Sequence, residues 1–296
     1  IEGVMMRGTQ CMAVAVRHPN GEVVVHSEPL TARIYASRWG KLPFIRGLAL
    51  LWDALVLGVR TLMFSADIAL AEEEDVSFSG PVAWGALAIS LAFGVGFFFV
   101  MPLLVVRLLD QLIHSSLLSN VVEGVVRLAL FLGYIILIAR LPDIQRVFAY
   151  HGAEHKTINA YEAGADLTVA QVRRFSTVHP RCGTGFLLVV MVVSIFVFSL
   201  IGKPPLWLGI ISRVALIPVI AGLSYEFIRF SAARYQRNRL LTWLISPSLA
   251  LQKLTTREPD DSMLEVAITA LKRVLVGEGI MVEEAQSEPA LEPVMA

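Results

Sequence analysis

Residues 82–106, VAWGALAISLAFGVGFFFVMPLLVV, run 25 positions without a charged side chain, and residues 183–202, GTGFLLVVMVVSIFVFSLIG, run 20. A bilayer core about 30 Å thick takes roughly 20 apolar residues in a helix, so each stretch reads as a transmembrane span. Two further stretches qualify with exceptions. Residues 119–139 are apolar apart from Glu123 and Arg127, which stand one helical turn apart and can pair. Residues 206–228 are apolar apart from Arg213 and Glu226. The expected fold is therefore a mainly α, polytopic membrane protein with four transmembrane helices.

Basic residues test the orientation. Seven Lys or Arg precede Val82, six lie between the second and third spans, and eight follow Ile228, whereas the two intervening loops carry only Arg107 and Lys203. The positive-inside rule then places both termini and the 140–182 loop in the cytoplasm. Residues 44–66, FIRGLALLWDALVLGVRTLMFSA, complicate this count, being nearly apolar. Arg46, Asp53 and Arg60 recur there every seven residues and stripe one side of a helix. An interfacial or re-entrant amphipathic helix is expected, because a fifth span would carry the basic N-terminus outside.

Composition agrees. Of 296 residues, 55% are hydrophobic and 17% charged, and the mean hydropathy is +0.65. Soluble domains carry roughly 25% charge. Lys plus Arg and Asp plus Glu balance at 25 each, which excludes a strongly basic nucleic-acid binder. The implied partners are the lipid bilayer and a second copy of the chain or another protein. Cys11 and Cys182 are too few and too far apart for a disulfide framework.

The polar segments divide as follows. Residues 1–43 form an N-terminal β element, since CMAVAVR (11–17) and EVVVHS (22–27) flank His18-Pro19-Asn20-Gly21, a hairpin signal. His18 and His26 read as structural. Residues 44–81 hold the amphipathic helix and an acidic loop, and 82–228 the four-helix membrane domain. Residues 229–282 form a cytoplasmic helical segment. In it, Pro259, Asp260 and Asp261 start a C-terminal helix, Lys272 and Arg273 lie in its last turns, and Gly277 stops it. Residues 283–296 read as a disordered acidic tail.

Chemistry concentrates in the loop between spans two and three. Three of the six His residues and one of the two Cys lie within the 32 residues from His151 to Cys182. His151 and His155, four apart on a helix, share one face and can grip one metal ion. With Glu154 they form H-x-x-E-H, the order of the inverzincin motif, in which two His bind zinc and the Glu activates water. Glu162 would follow on the same helical face. His179 and Cys182 are borderline or soft ligands at the start of span three. Glu226 follows His155 by 71 residues, where a third carboxylate would be sought. An alternative for Glu226 is a pair with Arg229, one turn on. Glu226, Glu162, His179 and Cys182 are thus the candidates to complete the shell.

Several stretches together resemble the YqhQ-like bacterial membrane proteins, described as predicted metal-dependent enzymes. These are IEGVMMRG (1–8), KLPFIRG (41–47), HGAEHKTINAYE (151–162), HPRCGTGF (179–186), SYE (224–226) and LQKLTTREPDDSMLEVAI (251–268). The likeness runs from residue 1 to about 276. It implies membership of a membrane family, a place in a bacterial inner membrane and a metal at the His/Glu motif.

The expected function is metal-dependent hydrolysis at a cytoplasm-facing site, with zinc as the divalent ion. His151 and His155 would be ligands and Glu154 the catalytic base. The rival is a non-enzymatic membrane scaffold, biogenesis factor or partner subunit in which the same cluster is a structural polar or metal site. No Ser/His/Asp triad, P-loop or dinucleotide fingerprint is evident, and sparse mid-membrane charge disfavours a transporter.

Overall fold

The fold is described from a computed structural model covering residues 2–30, 42, 44–69, 81–109, 113–180, 182–232, 234 and 238–281. The acidic stretch 70–80, Arg181, Arg237 and the expected disordered tail lie outside the described residues.

Three antiparallel strands open the chain, β1 (Gly3–Arg7), β2 (Cys11–Arg17) and β3 (Val23–Pro29), paired in sequence order. Gly21, at φ +93°, supplies the left-handed turn residue between β2 and β3. The expected hairpin is present, and β1 extends it, with Val4 opposite Ala15 and Met6 opposite Ala13. Strand β2 is buried on both faces. Cys11, Ala13 and Ala15 pack into one core with the last helix, while Met12, Val14 and Val16 are buried on the other side.

The helices are α1 (Ile45–Ala69), α2 (Pro81–Val95) continuing through a π turn (Gly96–Val100) into α3 (Met101–Leu108), and α4 (Ser116–Ile138). Then come α5 (Pro142–Glu162), α6 (Val169–Val172), α7 (Gly183–Ile201), α8 (Leu206–Ala215), α9 (Ile217–Ala232), α10 (Arg239–Thr255) and α11 (Asp261–Gly277). Among the described residues, α1, α2–α3, α4 and α7 are each long and apolar enough to cross a membrane, and α8 with α9 makes a fifth candidate bent by 44°.

Packing selects four. The sheet, α5, α6 and α11 share one hydrophobic core, so all lie on one side, and crossings between them come in even numbers. Only α7 and the bent pair separate α6 from the short, more polar α10 and from α11, so the bent pair crosses with α7. Between β3 and α5 stand α1, α2–α3 and α4, and one of these does not cross. That one is α1. Arg46 binds Glu226, Asp53 binds Arg7, and Arg60 reaches Glu28 at 4.0 Å, so the whole charged stripe is used by the sheet and the end of α9. Trp52, Leu55 and Leu62 are exposed on its other flank. Three expected spans are the single apolar helices α2–α3, α4 and α7, and the expected 206–228 span is the bent pair. Helix α1, expected at the interface, is itself long and apolar enough to cross, and the C-terminal helix is present. The fourth crossing is broken rather than straight, because Pro218 brings no N–H to the carbonyl one turn back.

Inside the membrane the expected Glu123–Arg127 pair becomes a triad. Arg127 Nη2 donates to Glu123 at 2.7 Å, and Arg213 donates to the same carboxylate through Nε at 3.0 Å and Nη2 at 2.6 Å. Arg127, Arg213 and Glu123 are 0%, 1% and 2% exposed. Ser194 and Asn120 accept further bonds, and both guanidinium groups lie over the Phe198 ring. Pro102 contributes no N–H to its helix, and the carbonyl of Phe98, four residues back beside the π turn, takes Arg127 Nε at 2.9 Å.

The last helix completes the soluble core. Asp260 caps α11 by accepting from Met263 N at 3.0 Å. At the far end the Glu278 carboxylate accepts from Thr9 and from the backbone N of Gln10 and Cys11, which ties the end of α11 to the β1–β2 turn. These hydrogen bonds hold the Glu278 carboxyl below its ordinary pKa.

Candidate metal centre

Helix α5 begins with Pro142 in its first turn, where no N–H is needed, and carries His151 and His155 one turn apart. Their ring centroids are 4.3 Å apart. His151 Nδ1 lies 2.8 Å from the carbonyl of Thr255, and His155 Nδ1 lies 2.6 Å from the carbonyl of Thr177. A carbonyl only accepts, so each Nδ1 carries a proton, which leaves Nε2 as the nitrogen a metal would take. This arrangement orients metal-binding histidines and sharpens their basicity.

Cys182 supplies the third donor. It is the N-cap of α7, its sulfur accepting from Thr184 N at 3.4 Å, and it stands 3.2 Å from His151 Nε2. One ligand atom from each of His151, His155 and Cys182 lies within 4.8 Å of the others, in a half-buried to buried setting. The three form the cluster able to hold a metal ion among the described residues. Two imidazoles and a thiolate are a borderline-to-soft donor set, suited to zinc-type ions and poorly suited to magnesium or calcium.

Burial opposes charge on His151, yet the neighbouring Cys182 sulfur, the Glu154 carboxylate and the Thr255 carbonyl raise its pKa to about 9. Burial also opposes a thiolate, but hydrogen bonds with His151, His155 and Thr184 bring Cys182 down to about 5. The protein alone therefore favours a thiolate–imidazolium pair. Burial pushes the Glu154 carboxyl up, against the pull of His151 and His155.

The other expected ligands sit elsewhere. His179 Nε2 is 3.3 Å from a Glu162 oxygen, and its ring centroid is 5.9 Å from that of His155, so His179 and Glu162 flank the cluster. Glu226 is held by Arg46 at 2.9 and 2.6 Å and by Phe44 N at 3.1 Å. Arg46, not Arg229, is its salt-bridge partner.

Several residues that build the site carry no motif. Lys156 Nζ donates to the carbonyls of Arg173 and Phe175, and Asn159 Nδ2 to those of Ser176 and Val178. Gln252 accepts from His179 N and donates to its carbonyl, both at 2.9 Å. Together they clamp the loop that delivers Thr177 and Cys182. Lys156 and Asn159 lie within HGAEHKTINAYE and were visible as its polar residues. Gln252 and Thr255, some 70 residues beyond Cys182, lie in LQKLTTREPDDSMLEVAI, a stretch that carried the resemblance but nothing that pointed to the site.

Gly152 explains how the α10–α11 connection reaches the site. A Cβ there would stand 2.1 Å from the carbonyl oxygen of Arg257, whose own N donates to the Phe148 carbonyl at 2.9 Å. Helix and connector touch backbone to backbone, and neither can yield like a flexible side chain. Gly152→Ala is expected to cost about 1–3 kcal/mol, seen as a lower melting temperature. It should also lower metal content, because the displaced connector follows directly on Thr255.

The comparisons with known proteins name no activity. Residues 42–276 match the family model described as a protein of unknown function, DUF1385. The chain is 36% identical over 288 residues to the uncharacterized protein YqhQ of Bacillus subtilis (strain 168), covering 93% of this chain and 90% of the relative. No solved structure matches. With most of its length inside the family model and a near full-length relative, the chain belongs to the DUF1385 family.

Proposed function

We propose that the protein is a membrane-bound, zinc-type metal-dependent hydrolase with its site on the cytoplasmic side. One observation carries the reading. His151, His155 and Cys182 converge within 4.8 Å, and each imidazole is turned by a backbone carbonyl so that Nε2 faces the cluster. Three protein ligands leave one position of a tetrahedral shell open, the pattern of catalytic rather than structural zinc sites. A zinc-type ion held there supplies a Lewis acid and an activated water. Glu154, between the two ligands on the same helix, is the base that accepts the proton and returns it to the leaving group. The basic residues around the 140–182 loop support the cytoplasmic orientation.

The test is metal analysis of the purified protein. About one zinc per chain is expected, with loss in His151→Ala. A wild-type protein that neither carries zinc nor takes up added zinc or cobalt would overturn the reading. The second reading is a scaffold in which the cluster is structural. It draws support from the way both His side chains tie α5 to other segments, at Thr255 and Thr177. It predicts that metal loss shows as reduced abundance and melting temperature, with no separable loss of function.

A further inference from the structure

From residue 227 to residue 257 the chain carries six cations, Arg229, Arg234, Arg237, Arg239, Lys253 and Arg257, and no Asp or Glu. The acid just before this run, Glu226, is held by Arg46, and the acid just after it, Glu258, by Lys156. The run covers the end of α9 and the whole of α10. Its described cations, Arg229, Arg234, Arg239, Lys253 and Arg257, are all exposed.

Helix α10 divides into three sectors at about 100° per residue. Leu241, Ile245, Gln252 and Thr255 make one, and it is buried. Ser248, at its edge, donates to the carbonyl of Gly185 in the first turn of α7 at 3.2 Å, so α10 rests on the end of a crossing. Leu240, Trp243, Leu244, Pro247 and Leu254 make the second sector, which is apolar and exposed. Arg239, Thr242, Ser246 and Lys253 make the third, polar and exposed. A helix between core and water needs one apolar face. A second one, left exposed beside a basic face, is the pattern of a helix lying in a membrane interface. The exposed apolar surface continues onto α9 through Phe227 and Phe230, and so joins the lipid-facing side of a crossing. Pro247 brings no N–H to the Trp243 carbonyl, and Ser246 Oγ donates to that carbonyl at 2.8 Å instead. Backbone beside hydrocarbon needs such a substitute, because no water is there to provide it.

We infer that α10 lies in the headgroup layer on the side of the metal centre and that, with the end of α9, it recognises anionic phospholipid. The apolar sector meets the acyl chains. Arg239 and Lys253 at the two ends of α10, with Arg229 and Arg234 beside it, meet the phosphate groups. Charge selects the lipid, since each cation near an anionic surface strengthens attraction by about fivefold, and a zwitterionic layer offers no such net attraction. The inference does not depend on the reaction at the metal centre, but it locates that centre. Gln252 and Thr255, which hold His179 and His151, stand in the last turn of the same helix.

The experiment reconstitutes the full-length protein in equimolar phosphatidylcholine and phosphatidylglycerol, with brominated acyl chains on one lipid or the other. Trp243 is the reporter, and its share of the fluorescence is the difference between wild type and Trp243→Phe. Bromine is expected to quench that share, with a quenching constant about threefold or more larger for brominated phosphatidylglycerol than for brominated phosphatidylcholine. The two lipids are expected to quench alike once Arg234, Arg239 and Lys253 are all replaced by Gln. They should also do so in wild type at about 1 M salt, where charges act over only about 3 Å, and that arm stands should the triple variant insert poorly. Absence of Trp243 quenching by either lipid overturns the seating of α10, because something other than lipid then covers it. Equal quenching by the two lipids in wild type at low salt overturns the anionic recognition. A preference that survives high salt overturns the assignment to these cations.

Discussion

Glu154→Gln is expected to keep wild-type metal content and to fail in a complementation assay, with turnover reduced by about 10²–10⁴. The amide matches the carboxylate in shape but cannot accept a proton. Among the described residues, the hydrogen bonds that hold the His pair come from the carbonyls of Thr255 and Thr177. The substitution therefore separates chemistry from assembly. His151→Ala, by contrast, should lose metal and function together. Full function in Glu154→Gln alongside a destabilised His151→Ala would remove the hydrolase reading and favour the scaffold.

Glu123→Gln is expected to cost about 3–5 kcal/mol, read as a lower melting temperature in detergent and less protein in the membrane. The carboxylate is the shared acceptor of Arg127 and Arg213. Removing its charge leaves two guanidinium groups close together with no counter-charge in a medium that solvates neither. Replacing all three residues by apolar ones of similar volume is expected to recover much of the loss, because a buried ionic triad is often no more stable than a packed apolar one. Equal stability of wild type and Glu123→Gln would mean that water reaches the triad.

Apolar run length and loop charge made the membrane domain legible, because both act through the solvent and need no knowledge of neighbours. The stripe of Arg46, Asp53 and Arg60 foretold that α1 lies against something polar, although not that its partners would be Glu226, Arg7 and Glu28. Strand β1 passed unnoticed since GVMMR is short, does not alternate and draws its burial from Ala13, Ala15 and α11. At the site, helical spacing alone united His151 with His155. Spacing could not show that His179 and Glu162 would turn to each other, or that Arg46, 180 residues earlier, would occupy Glu226. The carbonyls of Thr255 and Thr177 were illegible in principle, because every residue has a carbonyl and only the path of the chain decides which one meets an imidazole.

The joining of β1–β3 to α11 has a consequence for how the protein is made. The strands leave the ribosome before any of the helices, yet the face formed by Cys11, Ala13 and Ala15 is covered, among the described residues, chiefly by residues 261–277. At about 5–20 residues per second, the sheet waits roughly ten to fifty seconds for its cover, while every crossing is threaded in between. Thr255, which orients His151, arrives in the same late stretch. Metal therefore meets a finished site only after insertion is complete. A chain stalled before Thr255 would hold every ligand and still lack the carbonyl that orients His151.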